Sequence, residues 1–414
     1  MRSKLINCHS ISLWDYLIVL IMIFVSGKTL FFSANINEGY LLLFNLFPIL
    51  FLPILAIYIN GKKSYILAAE EKRLRDSYII YIAIIVLSAL ANFDFRGGYI
   101  ITIMFFLTSY LYIRIVPLKT FLIVFEKIIW WITLISVPIF ILCFFVPEIR
   151  SLVPILTNSN FNSYANFFVT VVPLWETDSS LFRMYGPFNE PGVYQIYLNL
   201  SLLFHIYLNE GQLQLKKGVV YILAVLLTQS TTGYICLAII LISYIFRKNR
   251  GRSKYKNYFI SALIIAAFSI LYSRTTLFTA ESDVFGKITN ESVSAVSREA
   301  SITVNAEIFM RNPILGVGFS SVTSMFESIC KSKYGFSQGI SNTNTVLFYF
   351  ATLGIFFGLL WIYAFYLFFR RFGNNTMSKN LVFISVLLMF SGELMYGCFW
   401  VYAFLGYGLL NRKD

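Results

Sequence analysis

The stretch from Arg183 to Gly192 reads RMYGPFNEPG and ends at the start of an apolar run that begins near Val193. Pro191 suits the first turn of a helix, where its missing N–H would have no partner anyway. Asn189 and Glu190 then fall at the cap, where the free amides and the helix dipole favour a carboxylate or a bound anion. Arg183 lies upstream of a Gly186-Pro187 turn that can fold it back over the same spot. A cation, a carboxylate and a helix N-terminus together suit a phosphate-bearing substrate. A capped helix carrying a surface ion pair explains the same residues without any ligand.

Three other places hold polar groups where the sequence is otherwise apolar. Glu190, Tyr194, Tyr197 and Ser201 share one helical face, and such a stripe is expected to face a bundle interior or a cavity. Glu393 stands inside an apolar run, as a functional acid or as a pairing group in helix packing. From Val293 to Phe309, Val293, Val296, Ala300, Val304 and Ile308 recur at helical spacing, with Ser294, Arg298, Ser301 and Asn305 opposite them. Asn312-Pro313 stops that helix and a glycine turn over 314–318 follows. An amphipathic helix on a membrane surface, with Arg298 on its polar face, is the expected product. A solvated face carrying a structural arginine is the plainer one.

The elements that must position these groups are membrane helices. Hydrophobic residues make up 58% of the chain and charged residues 13%, and several apolar runs approach the roughly 20 residues that cross a bilayer. The pattern predicts an all-α polytopic protein, one integral membrane domain over 1–414. Its twelve spans are 12–33, 39–59, 77–92, 98–116, 120–146, 190–208, 217–229, 232–246, 257–273, 342–369, 379–394 and 397–411. The net charge of +13 is then a topology signal and not a sign of nucleic-acid binding. Lys62, Lys63, Lys72, Arg73 and Arg75, the cluster over 247–256, and Arg370, Arg371 and Lys379 fall on the cytoplasmic side with both termini. Two outer loops follow, 147–189 and 274–341. The first apolar run lacks a small-residue cleavage site and is taken as an uncleaved span. His9 and His205 are the two histidines, and Cys8, Cys143, Cys236, Cys330 and Cys398 are scattered without a CxxC pair. Neither a metal site nor a disulfide framework is expected. Residues 217–246 and 379–411 are each barely long enough for two crossings. Each is broken in the middle, at Ser230-Thr231-Thr232-Gly233 and from Ser391 to Gly397. Irregular backbone at membrane depth is tolerated where it is buried in protein or lines a wet cavity. On this topology both breaks face outward, as does 183–192.

Three segments in this order, RMYGPFNEPG over 183–192, LLTQSTTGY over 226–234, and Arg298 through NPILGVG ending at Gly318, resemble the O-antigen polymerase and ligase superfamily. The Wzy-type polymerases are the nearest in pattern. Asn342-Thr343-Asn344, with Leu353 to Gly358, is similar to that family's segment after its large outer loop. The resemblance covers roughly 183–370 and the pattern of spans. It implies a GT-C-like membrane glycosyltransferase that uses no metal, cofactor or nucleotide sugar. Such an enzyme moves a growing glycan from undecaprenyl pyrophosphate onto an incoming lipid-linked repeat unit at the outer face of the bacterial cytoplasmic membrane. A chain-length regulator protein is a further candidate partner. The ligase branch carries a histidine near the Asn342 segment; this outer loop has none, which favours the polymerase.

Under that resemblance, Arg183 and Arg298 are the pyrophosphate-binding candidates, because negative charge builds on the leaving oxygen and no metal shares it. Glu190 is the candidate general base for the acceptor hydroxyl, with Glu299, Glu307 and Glu393 as competitors. Tyr194, Ser230, Asn305, Arg311 and Glu393 are supporting candidates. A ligase, or a flippase for the same lipid, is the alternative. Transporters tend to show internal repeats, and none is visible here.

Overall fold

A computed structural model describes residues 11–24, 28–30, 66, 68–157, 162–174, 182–248, 293–335 and 341–410. It is mostly helical. The helices, in order, are α1 (Leu13–Phe24), α2 (Ala68–Ala91), α3 (Gly97–Ile115), α4 (Leu118–Phe145), α5 (Pro191–Leu208) and α6 (Leu215–Leu227). Then come α7 (Thr231–Lys248), α8 (Val293–Arg311), α9 (Gly318–Tyr334), α10 (Thr345–Phe369), α11 (Thr376–Gly392) and α12 (Phe399–Leu409). Among the described residues, four helical stretches are long and apolar enough to cross a membrane: Ala69–Ala91, Gly97–Ile115, Leu118–Phe145 and Thr345–Phe372. Shorter apolar helices stand at Leu13–Phe24, Thr231–Arg247, Thr376–Gly392 and Phe399–Leu409. The spans expected at 39–59 and 257–273, and most of the basic cluster over 247–256, lie outside the described residues.

The centre of the bundle is α5. Every residue from Pro191 to Ile206 is buried, which requires protein on all sides of the helix. The aromatic-rich α12 packs near it, where Trp400 donates its indole N–H to the Tyr197 hydroxyl at 2.9 Å. α11 lies along α7, held where Ser243 and Ser378 hydroxyls meet at 2.8 Å and Cys236 faces the Ser385 carbonyl. The polar stripe on α5 faces the bundle interior, packed into this core. Tyr194 donates to Thr133 Oγ1 at 3.2 Å and Tyr197 accepts from Trp400. At the far end of the helix His205 lies 3.2 Å from Glu126, which Lys217 also contacts at 2.9 Å. His205 is thus part of a buried hydrogen-bonded network at the opposite end of α5 from Glu190.

Several expectations change. Within the span expected over 12–33 the described helix is Leu13–Phe24, and Lys28–Leu30 runs antiparallel to 187–189. Leu30 N–H donates to Pro187 O and Asn189 N–H to Lys28 O, both at 3.0 Å. The chain is not wholly α either. The loop over 147–189 holds a three-stranded antiparallel meander, β1 (Ile155–Thr157), β2 (Ser163–Asn166) and β3 (Val171–Pro173). Its short Val-, Thr- and Tyr-bearing runs suit half-buried strands. Tyr164 and Val171 join Leu30 and Tyr185 in a small core, and Val171 N–H donates to Gly186 O at 2.8 Å. The sheet therefore props up the 183–190 turn.

The amphipathic helix forms as α8, but its apolar face meets protein and not lipid. Ala300, Val304 and Ile308 are fully buried against α9 and α10, together with Val322, Phe326 and Phe348. α9 adds a second helix within the loop expected over 274–341. The turn between α8 and α9 docks on a break in α10. Val317 N–H donates to Ala351 O at 2.9 Å and Ile355 N–H to Pro313 O at 2.8 Å. Gly354, at φ +82° and ψ −176°, opens the helix there. That backbone region is essentially restricted to glycine, and a Cβ on Gly354 would fall on the Ile314 carbonyl. Gly354→Ala is accordingly expected to cost about 1–3 kcal/mol from the backbone conformation alone. The check is the thermal midpoint of the detergent-purified protein. A midpoint equal to that of the parent would show that α8 and α9 do not depend on this joint.

Candidate active site

Five separate pieces of chain converge on one cavity of about 380 Å³. Arg183, Glu190, Gly192, Arg298, Thr343 and Glu393 are among the residues that line it. The two breaks and the 183–192 stretch thus come together, and α8 brings Arg298 to the same place.

Each group is held by identifiable contacts. Arg183 donates from Nε to Thr228 O at 3.2 Å, and the adjoining Met184 N–H donates to Leu227 O at 3.0 Å. Gln229 closes the seam by donating its side-chain N–H to Phe182 O at 2.9 Å. Gln229 sits at φ +47°, an uncommon conformation for a residue with a side chain, at the break between α6 and α7. Arg298 is placed through the opposite set of contacts. Ser301 Oγ accepts from Thr343 N–H at 2.8 Å, and Asn305 and Asn342 exchange amide hydrogen bonds at 2.9 and 3.0 Å. The polar face of α8 is thereby zipped to residues 341–344. Arg298 is mostly shielded from solvent. Burial draws its guanidinium below the ordinary value, while Glu393 and Glu190 act in the other direction and Arg183 adds to the lowering. The two cations and two acids are therefore within electrostatic reach of one another.

The acids form a pair. Glu190 is the N-cap residue of α5, but its side chain makes no cap hydrogen bond. It is instead solvent-exposed and hydrogen-bonded to Glu393. Glu393 is buried, with a relative exposure of 8%, and its backbone carbonyl accepts from the Thr345 hydroxyl on α10. Its Oε1 lies so close to the first turn of α5 that a methyl on Gly192 would fall on it. Lys28 bears on Glu393 electrostatically as well. A hydrogen bond between two carboxyl groups needs one proton between them. Burial disfavours the ionised form, so that proton resides on the buried Glu393.

The remaining candidates lie elsewhere. Arg311 pairs with Glu307 at 2.8 Å on the outer side of α8, and Lys333 reaches the same carboxylate at 2.7 Å. Those two cations hold Glu307 below the usual carboxylate range. Glu299 is exposed and lies 3.4 Å from the Tyr334 hydroxyl. Helical periodicity turns these residues about 100° or more away from Arg298 along one helix, which is why proximity in sequence misleads. Asn305 and Ser230 are buried scaffolding beside the cavity; Ser230 Oγ accepts from Gly233 N–H at 3.3 Å. Tyr194 lies beneath the 183–192 turn, its ring 2.8 Å from where a Cβ on Gly186 would stand. Sequence reasoning passed over Lys28, Gln229 and Thr343. The first was visible as a charge inside an apolar run, and the other two lie inside the quoted motifs.

No curated protein and no solved structure matches this chain. Residues 218–362, which carry the α6–α7 break, α8 with Arg298 and the α10 joint, match the family model described as O-antigen ligase, and over that stretch the chain is similar to the O-antigen ligase and polymerase superfamily.

Proposed function

We propose that this protein is a polysaccharide polymerase of the bacterial cytoplasmic membrane, acting at its outer face. In this reading it transfers a growing glycan from undecaprenyl pyrophosphate to an incoming lipid-linked repeat unit. The observation that carries the reading is the meeting of Arg183, Arg298 and the Glu190–Glu393 pair in one cavity. The arginines hold the pyrophosphate, and Lys28 adds charge nearby. Glu190 takes the proton from the acceptor hydroxyl as its oxygen attacks the anomeric carbon. The bond from that carbon to the phosphate oxygen breaks, and the lipid pyrophosphate leaves with the electron pair. Arg183 and Arg298 stabilise the charge as it develops there. Glu393 keeps its proton and orients Glu190 through their hydrogen bond.

A ligase is the second reading, since the matched family model is described as O-antigen ligase. It would use the same donor chemistry with a different acceptor. Deleting the gene separates the readings by the glycan left at the cell surface. Chains of a single repeat unit are expected for the polymerase. Absence of surface chains with lipid-linked polymer accumulating indicates the ligase, and repeat units trapped inside the cell indicate a flippase.

A further inference from the structure

A second cavity, of about 500 Å³, lies on the other side of a thin wall from the first. Ser341 lines both. The wall is built from residues that alternate between them: Thr343 and Glu393 face the first, Asn342 and Leu394 the second. The second cavity has none of the groups assigned above to the donor phosphates.

Its lining is of two kinds. Phe319, Phe348 and Tyr396 form an aromatic wall, with ring centroids 4.8 Å apart for Phe348 and Tyr396 and 6.3 Å for Phe319 and Tyr396. Around it stand Arg96, Thr323 and Glu327, all exposed, with Ser320. The mouth is anchored, because Asp94 accepts from Ser320 N–H at 2.8 Å and ties α9 to the connection between α2 and α3. Aromatic faces suit the C–H faces of sugar rings. The mix of a carboxylate, a guanidinium and hydroxyls suits their alternating hydroxyl groups. A lipid chain would prefer an apolar lining, and a nucleotide or free phosphate would need more cationic groups than Arg96.

We infer that this second cavity is the acceptor subsite, which holds the non-reducing end of an oligosaccharide so that its terminal hydroxyl reaches the Glu190–Glu393 pair. The inference rests on the transfer reading of the first cavity. The acceptor belongs here because the second cavity adjoins the first through Leu394, on the side of Glu393. Arg183, Gln229 and Arg298 line only the first cavity. Thr323 and Arg96 then set which sugar is accepted, and neither touches the donor.

The test uses the full-length protein in detergent. The probe is the repeat-unit oligosaccharide released by mild acid from lipid-linked material of cells lacking the protein. Its binding is measured by titration calorimetry, with no turnover required. Thr323→Trp fills the cavity from an exposed helix position, and Arg96→Ala removes its cation from an exposed one. Each is expected to weaken oligosaccharide binding at least about 10-fold, the effect of losing one or two good contacts. Arg298→Ala should leave that binding unchanged. In turnover with lipid-linked donor, Thr323→Trp should raise the KM for the oligosaccharide acceptor and leave the KM for the donor unaltered. Unchanged binding in both variants, or loss of binding in Arg298→Ala alone, overturns the assignment of the second cavity. If Arg298→Ala and Glu190→Gln both retain full transfer, the reading of the first cavity fails instead. The two failures are therefore distinct.

Discussion

Glu190→Gln is expected to lower the rate of glycan transfer by roughly 10²–10⁴, while the protein stays folded and still binds lipid-linked substrate. Gln keeps the size of the side chain but cannot take a proton. Its loss does not remove a helix cap, because the Glu190 side chain makes no cap hydrogen bond to α5. The partner variant should behave differently. Glu393 holds the proton of the pair, and Gln at that position still offers a donor toward Glu190. Glu393→Gln is therefore expected to cost no more than about 10-fold, the range of one weakened hydrogen bond. Gly192→Ala provides a third arm: its methyl displaces the Glu393 carboxyl without removing it. That variant should fall between the two, at normal protein level. Purified protein with a lipid-linked repeat unit, read by product length and initial rate, decides the matter. A larger loss in Glu393→Gln than in Glu190→Gln would reverse the two roles. Near-normal polymer from both would remove the pair from the chemistry altogether.

Arg298→Ala should lower transfer by roughly 10²–10³, the usual cost of one preorganised group that stabilises developing negative charge. Arg298→Lys is expected to recover little, since an ammonium lacks the planar fork that fits a phosphate. Burial strengthens the expectation, because a shielded guanidinium held among Arg183, Glu190 and Glu393 is worth more than an exposed one. Arg311→Ala is the control from the same helix. Arg311 is half exposed and paired with Glu307, so its removal should leave chain length unaltered. Membranes carrying each variant at equal protein level, compared by the ladder of surface glycan lengths, give the answer. Wild-type ladders from Arg298→Ala would make Arg298 a packing residue of α8.

How much of this was legible beforehand differs from residue to residue. Arg183 and Glu190 could be chosen from the sequence because a charge beside an apolar run is costly and is kept for a partner or a ligand, and Arg298 because it stands on the polar face of an amphipathic helix within the motifs that resemble the family. The helix start at Pro191 could be read as well, because proline at the first turn is a local property of the chain. So could the breaks near 230 and 393, since glycine and hydroxyl residues interrupt an apolar pattern regardless of what surrounds them. The apolar spacing of Val296, Ala300, Val304 and Ile308 likewise fixed α8 as an amphipathic helix before its surroundings were known.

What covered that apolar face was not local, and the sequence pattern pointed to lipid where α9 and α10 stand. Hydropathy cannot tell lipid from a protein core, because both are apolar solvents for a side chain. The strands over 155–173 escaped notice for a related reason. Runs of three or four residues carry too little periodicity to stand out, and their pairing is decided by neighbours outside the run. The partnership of Glu190 with Glu393 spans some two hundred residues of chain, and only the packing of α11 against α7 and α10 brings it about. Pairing of that kind depends on which surfaces meet, and no local pattern encodes it. The same holds for the choice among the acids of α8: Glu299 and Glu307 share a helix with Arg298, yet the rotation of that helix against residues 341–344 turns both away from the cavity. The sequence by itself determined which residue types were available at a membrane surface. The tertiary structure decided which of them share a proton, because proton sharing requires contact and contact is set by the fold.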